Sequence, residues 1–384
     1  MTVAPEPATA PATPPADTPA ALDLLVAGPV FFDIVFTGLP ASPRAGTEVW
    51  AEGMGSAPGG IANLAVAAAR LGLRTGLAAG FGDDAYADWL WTVLGEQEGV
   101  DLTASRRYRR WHTSVTVSMA SGGDRAMVTH GHPAPDRAAD LIAAAPPARA
   151  VVAELSETAA GEVPWWRTVA DAGTLVFADA AWDPTEAWDA AHLARLAGCY
   201  AFTPNAVEAM AYTRADSPSA AARVLAEHVP LAVVTLGAQG ALAVDSASGQ
   251  EVRVEPLHVD AIDATGAGDV FAAALVTATL HGWALEQRLR FAVLCSALAV
   301  QHFGGSLAAP GWGDLADWWA ATVAAARTGD PAARQTADTY EFLTDALPRH
   351  ALARVRRAEA TVARLSDAQS AGATAVAAPT MRAR

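Results

Sequence analysis

Short apolar runs alternating with helix-compatible stretches constrain this chain more than any other feature. Leu22–Ala27, Thr75–Ala79, Val151–Leu155, Thr174–Asp179, Tyr200–Thr203 and Leu231–Leu236 each read as a strand, with helical segments between them. Near-continuous apolar strands separated by helices fit a parallel sheet covered on both faces, so the predicted fold class is α/β. Ligands in such folds collect at the carboxyl ends of the strands. Asp33, Gly59, Gly60, Asn63, Asn205 and Gly237 fall near such ends, with Asp33 on the loop after the first strand. One stretch breaks the rhythm. His112–Met119 alternates, Ser121-Gly122-Gly123-Asp124 turns and Arg125–Thr129 returns, which reads as a hairpin attached to the main sheet as a flap.

The most informative loop is Asp263–Asp269, DATGAGD, which runs straight into the apolar stretch ending at Leu280. A polar, glycine-bearing segment that opens a buried helix presents unpaired N–H groups and the positive end of the helix dipole, and so suits an anion. Gly266 and Gly268 allow close approach of the backbone, and Thr265 or Asp263 is positioned to cap the helix. Asp269 fits two readings. It is either an acidic residue that stabilises a helix N-terminus, or a carboxylate that takes a proton from whatever attacks a bound phosphate.

Composition removes several alternatives. The chain contains no lysine, and all 26 basic residues are arginine. P-loop NTPases, protein kinases and Schiff-base enzymes each need a lysine and are excluded. A net charge of -15 argues against nucleic acid or an anionic membrane as partner. Cys199 and Cys295 supply neither a disulfide framework nor a metal cluster, which predicts a cytoplasmic protein. Residues 1–20, rich in Pro, Ala and Thr, read as a disordered tail without the features of a signal peptide.

Two further clusters carry chemistry. Asn205 with Glu208 three residues on resembles a capping box; alternatively Glu208 holds, through water, a Mg²⁺ carried by a nucleotide. Thr235, Gly237 and Gly240 form a strand end and glycine turn, which either makes a hairpin or admits the phosphates and ribose of a nucleotide.

In order and spacing, GGIAN near residue 60, NAVE near 205, VTLGAQG near 235 and DATGAGD near 265 resemble the PfkB carbohydrate kinases of ribokinase-like fold. The resemblance covers roughly residues 22–312. It implies a mostly parallel sheet with helices on both faces plus a small β lid, formed by elements at about 31–50 and 108–130 of a domain spanning 21–325. It also implies ATP and Mg²⁺, and phosphorylation of a hydroxyl on a small sugar-like substrate. Asp269 would be the general base, and the amides of Gly266, Ala267 and Gly268 the anion hole. Asp33, Gly59, Gly60 and Asn63 would bind the substrate. Asn205, Thr235, Gly237, Gly240, Asp263 and Thr265 would serve the nucleotide, with Glu208 at the metal and Gly304 and Gly305 by the adenine. The chain departs from many relatives at Ala87, where they keep glycine, and at Ala180-Ala181-Trp182, where an arginine is usual. A nucleoside kinase of adenosine type, or a non-catalytic sensor of sugar or nucleotide on the same scaffold, is the alternative. A dinucleotide-binding oxidoreductase is disfavoured, because Phe271 stands where the third glycine would be. A homodimer is left open. Residues 326–384, with helices expected at Glu341–Leu347 and Ala351–Leu365, form an extension of unknown role.

Overall fold

The computed structural model describes residues 22–121, 124–155, 163–180, 188–349 and 351–357. The expected N-terminal tail, Ala181 and Trp182 lie outside them. In chain order the first strands are β1 (Leu22–Ala27), β2 (Val30–Thr37), β3 (Gly53–Gly60), β4 (Thr75–Ala78), β5 (Gly80–Phe81) and β6 (Arg106–Arg107). They are followed by β7 (Ser114–Ser121), β8 (Asp124–His130), β9 (Ala148–Glu154) and β10 (Leu175–Asp179). The last four are β11 (Ala201–Phe202), β12 (Leu231–Thr235), β13 (Ala241–Asp245) and β14 (Glu251–Val254).

Eight of these strands form the main sheet in the order β14-β13-β12-β11-β10-β9-β1-β4. Pairing is parallel from β4 to β12 and antiparallel at β13 and β14. The period of two along each strand divides the core. Leu24, Val26, Val152, Phe177 and Val233 face one apolar layer; Leu25, Ala27, Val151, Val176 and Val234 face the other. Both layers are buried under helices, which is why these strands read as unbroken apolar runs. Each fully buried Leu or Phe side chain contributes roughly 1.5–3 kcal/mol.

The flap is a second sheet of four strands, β3-β2-β7-β8. It includes β2 and β3, which pair antiparallel from Val30↔Gly60 to Thr37↔Gly53. Asp33 is therefore in the middle of a strand of this sheet, not on a loop after β1. Gly59 and Gly60 likewise end a strand of the second sheet rather than of the main one. Phe32 anchors the sheet by an edge contact with Trp89, ring centroids 5.0 Å apart.

The C-terminal segment packs on the main body. Helix Trp312–Arg327 runs across the boundary expected near residue 325. The Trp312 indole donates to the Leu71 carbonyl (2.8 Å) and stacks on Phe291, while Tyr340 and Leu343 are buried in the core. The expected helix at 341–347 is shortened to Leu343–Ala346. The one at 351–365 is a short 3₁₀ turn over Ala351–Arg354, followed by non-helical residues to 357, with the remainder outside the described chain. The Gly313 amide donating to Val355 (2.7 Å) and the Arg357 amide donating to Asp314 (2.8 Å) hold this turn against the helix instead of extending it. Among the described residues, no helix is long and apolar enough to cross a membrane.

Candidate active site

Helix Ala267–Leu280 is buried on nearly every face from Val270 to Thr279, so its N-terminus is fixed by the core behind it. Gly266 is its N-cap, at φ +71°, and no side chain caps the first turn. The expectation that Asp263 or Thr265 caps this helix is corrected, because the glycine turn intervenes. The Asp263 carboxylate instead accepts from the Thr265 amide (2.8 Å) and hydroxyl (2.5 Å), and from the Gly304 amide (3.0 Å). It thereby shapes the loop and ties it to Gly304-Gly305. Of the three expected anion-hole amides, that of Ala267 already donates to the Ala264 carbonyl (3.2 Å).

Asp269 sits in the first turn, half-buried, and accepts a 3.2 Å hydrogen bond from Asn63 Nδ2. Asn63 lies at the start of helix Ala62–Arg70, and its Oδ1 is buried without a partner among the described residues. Burial pushes the Asp269 carboxyl up to about 6, while the Asn63 bond opposes the shift.

Asp33 reaches the same place from β2. Burial raises it to about 7, a hydrogen bond from Thr116 opposes this, and the charge of Asp269 adds to it. Thr116 stands beside Asp33 on β7 and is itself hydrogen-bonded to Thr129 (3.0 Å). Gly59 is required by close approach, since a Cβ there would lie 2.0 Å from Asp33 Oδ2. The starts of two helices thus bring together Asn63 and Asp269, 206 positions apart, and with Asp33 from the second sheet the three converge.

The raised carboxyl of Asp33 has a consequence for stability. An unfolded aspartate titrates near about 4. Between that value and about 7 the folded chain holds a proton that the unfolded chain has lost, so the contribution of Asp33 to stability falls as pH rises. Asp33→Asn removes this titration and still accepts from Thr116. The variant is expected to be more stable than the parent at pH 8, with the difference fading towards pH 4. Urea denaturation across that range checks it; an equal loss of stability at every pH would refute the account.

Asp179 belongs to the site and was missed as a functional candidate. It ends β10, where burial, then Asp269, Glu208 and Glu154, raise it to about 8. Its signal in the sequence was only a carboxylate closing an apolar strand. Asn205 and Glu208 do form the capping box: the Glu208 amide donates to Asn205 Oδ1 (3.0 Å) and the Asn205 amide to Glu208 Oε2 (2.9 Å). Burial raises the Glu208 carboxyl.

Beside the glycine loop lies a mostly apolar cavity of about 360 Å³, with Thr235, Gly237, Gly268, Phe271, Val293 and Ala297 in its wall. Gly240 also lines it, but at φ +86° its Cβ would meet the Val254 carbonyl at 2.1 Å, so the backbone alone accounts for that glycine. Gly304 and Gly305, expected by the adenine, do not line this cavity. Gly305 packs behind Gly266, whose Cβ would fall 2.7 Å from the Gly305 Cα. Of the four arginines before the flap, Arg106, Arg107, Arg109 and Arg110, Arg106 pairs with Asp136 and Arg107 with Asp88 on the surface.

Comparison with known proteins bears on the family and the fold. The pfkB family carbohydrate kinase profile matches residues 34–311. A ribokinase of Bacillus subtilis is 29% identical over 297 residues, covering 73% of this chain and 94% of that protein. The solved structure of Arabidopsis thaliana ribokinase complexed with ribose and ATP superposes with a TM-score of 0.62 at 24% identity, over 76% of this chain and 96% of that one. A Burkholderia thailandensis nucleoside kinase in complex with inosine gives 0.58 at 19% identity, over 75% and 94%. These neighbours share the ribokinase-like fold, and by the extent of the profile match this chain belongs to the pfkB family of carbohydrate kinases.

Proposed function

We propose that the chain transfers the γ-phosphoryl group of ATP to a hydroxyl of a small neutral sugar, with Asp269 as general base. The observation that carries this reading is the convergence of Asp33, Asn63 and Asp269 at the exposed N-terminus of a buried helix. Asp33 and the unpartnered Asn63 Oδ1 supply acceptors for substrate hydroxyls. Asp269 takes the proton of the attacking hydroxyl as its oxygen bonds to phosphorus and the bond to ADP breaks. With no lysine in the chain, the helix N-terminus supplies fixed positive potential where charge develops. The apolar cavity suits the base of the nucleotide, and Gly268 leaves room for its phosphates, because a Cβ there meets nothing within 4 Å.

The carboxylates of Asp179 and Glu208, close enough for one charge to act on the other, are the hard oxygen donors that suit Mg²⁺. Bound there, the ion would supply positive charge to the phosphates. Glu208→Gln still accepts from the Asn205 amide, so its melting temperature is expected to match the parent. The Mg²⁺ concentration for half-maximal activity is expected to rise several-fold. A lower melting temperature with unchanged Mg²⁺ dependence would leave Glu208 as a cap only.

The test of the function is ATP consumption with free sugars, sugar phosphates and nucleosides. Turnover of a free sugar supports the proposal, and turnover confined to nucleosides replaces it with a nucleoside kinase. Sugar binding without turnover of any of them makes the chain a sensor. A sugar phosphate is not expected to be preferred: Arg106 and Arg107 are held by surface carboxylates, and Arg109 and Arg110 are exposed.

A further inference from the structure

Three of the nine histidines in the sequence meet at the base of the flap. His112 stands two residues before β7, His130 is the last residue of β8, and His132 follows two positions later. Their ring centroids form a triangle with sides of 5.0 Å (His112–His130), 4.7 Å (His112–His132) and 5.4 Å (His130–His132). One ring nitrogen from each lies within 4.8 Å of the other two.

We propose that His112, His130 and His132 form a binding site for a divalent transition-metal ion of the Zn²⁺ class. The backbone holds the three together before any ion arrives. Val115 pairs with His130 in the β7–β8 ladder, and the Trp111 indole donates to the Pro133 carbonyl (3.2 Å), closing the two segments outside that ladder. The donor type selects the metal, since imidazoles suit Zn²⁺, Co²⁺, Ni²⁺ and Cu²⁺, whereas Mg²⁺ and Ca²⁺ take oxygen ligands. His112 Nδ1 lies 3.2 Å from the Thr113 carbonyl and donates to it in the tautomer that leaves Nε2 for the ion. The Asp84 carboxylate accepts from the Thr113 amide (2.7 Å) and hydroxyl (3.0 Å), which fixes the residue next to His112.

Ligand nitrogens around a tetrahedral Zn²⁺ at about 2.0–2.1 Å sit closer together than 4.8 Å, so the rings must rotate inward. His130 and His132 are exposed and free to do so. Three imidazoles leave a fourth position for water or a small ligand. A cavity of about 180 Å³ beside His132, lined also by Trp111, Ser114 and Asp136, gives that position access. An ion there would link the start of β7 to the end of β8, and β7 carries the Thr116 that holds Asp33.

The experiment uses the full chain, stripped with a chelator and titrated with Co²⁺ and Zn²⁺. One Co²⁺ per chain with the intense visible absorption of a four-coordinate site is expected, displaced by Zn²⁺. His130→Ala and His132→Ala should each weaken binding by about tenfold or more, which is 1.4 kcal/mol per factor of ten. His228→Ala, an exposed histidine elsewhere, should leave it unchanged. Melting temperatures of the metal-free variants establish that they fold as the parent does. Absence of binding by the parent would overturn the proposal, and so would stoichiometric binding that survives in the His130→Ala/His132→Ala double variant.

Discussion

Asp269→Asn is expected to lower kcat by about 10²–10⁴-fold while leaving substrate and nucleotide binding nearly intact, the range a positioned general base contributes. The substitution preserves shape, and the new amide oxygen still accepts from Asn63 Nδ2 at the position now 3.2 Å away. What it removes is the proton acceptor. The parent should show a matching pH profile. Burial holds the Asp269 carboxyl at about 6, so the base is ionised above that value and its rate falls as pH drops through it. Any residual rate of the variant should lack this acid limb. Steady-state kinetics from about pH 5 to 8 check both statements, and near-parental turnover by Asp269→Asn would remove the residue from the chemistry.

Gly266→Ala is expected to abolish most activity and to lower the melting temperature as well. The residue occupies φ +71°, where a side chain costs on the order of 1–3 kcal/mol, and its Cβ would fall 2.7 Å from the Gly305 Cα. The obstacle is backbone, which no rotamer change can move aside. Gly268→Ala is the informative partner. Its Cβ meets nothing within 4 Å and its φ is ordinary, so alanine in this first helical turn should hold or raise stability by roughly 0.5–1 kcal/mol. If the space over Gly268 belongs to the phosphates, the same change should raise the KM for ATP at least about tenfold. Thermal melts and ATP titrations on the two variants separate a glycine needed by the fold from one needed by a ligand. Unchanged ATP kinetics in Gly268→Ala would remove that residue from the nucleotide site.

The main sheet was legible because its strands are buried on both faces and so appear as apolar runs; the antiparallel strand Glu251–Val254 was not, being short and half-polar. The glycine loop was legible because its meaning is local, a turn opening a helix. Asp33 was recognised but placed wrongly. Phe31 to Phe36 reads as neither a clean alternation nor an apolar run, and only the pairing with β3 and β7 makes it a strand. Asp179 passed as a strand end because its character comes from burial and then from the charges of Asp269, Glu208 and Glu154, none of them next to it in sequence. Likewise Gly304-Gly305 could be matched by order but not by position, since which face of the loop they cover depends on the Asp263 side chain.

The placement of Asp33 within β2 makes the flap more than a cover. Any rigid displacement of the four-stranded sheet carries this carboxylate with it, towards or away from Asp269. Where both carboxyls are ionised, above about pH 7, drawing the sheet inward would bring two like charges together, and the work of doing so would rise as water leaves. In an empty site above about pH 7 this repulsion would oppose inward movement of the flap, and below it the proton on Asp33 would remove the opposition. A hydroxylated molecule that donated hydrogen bonds to both carboxylates would offset that repulsion, so binding it and drawing the flap inward would favour one another.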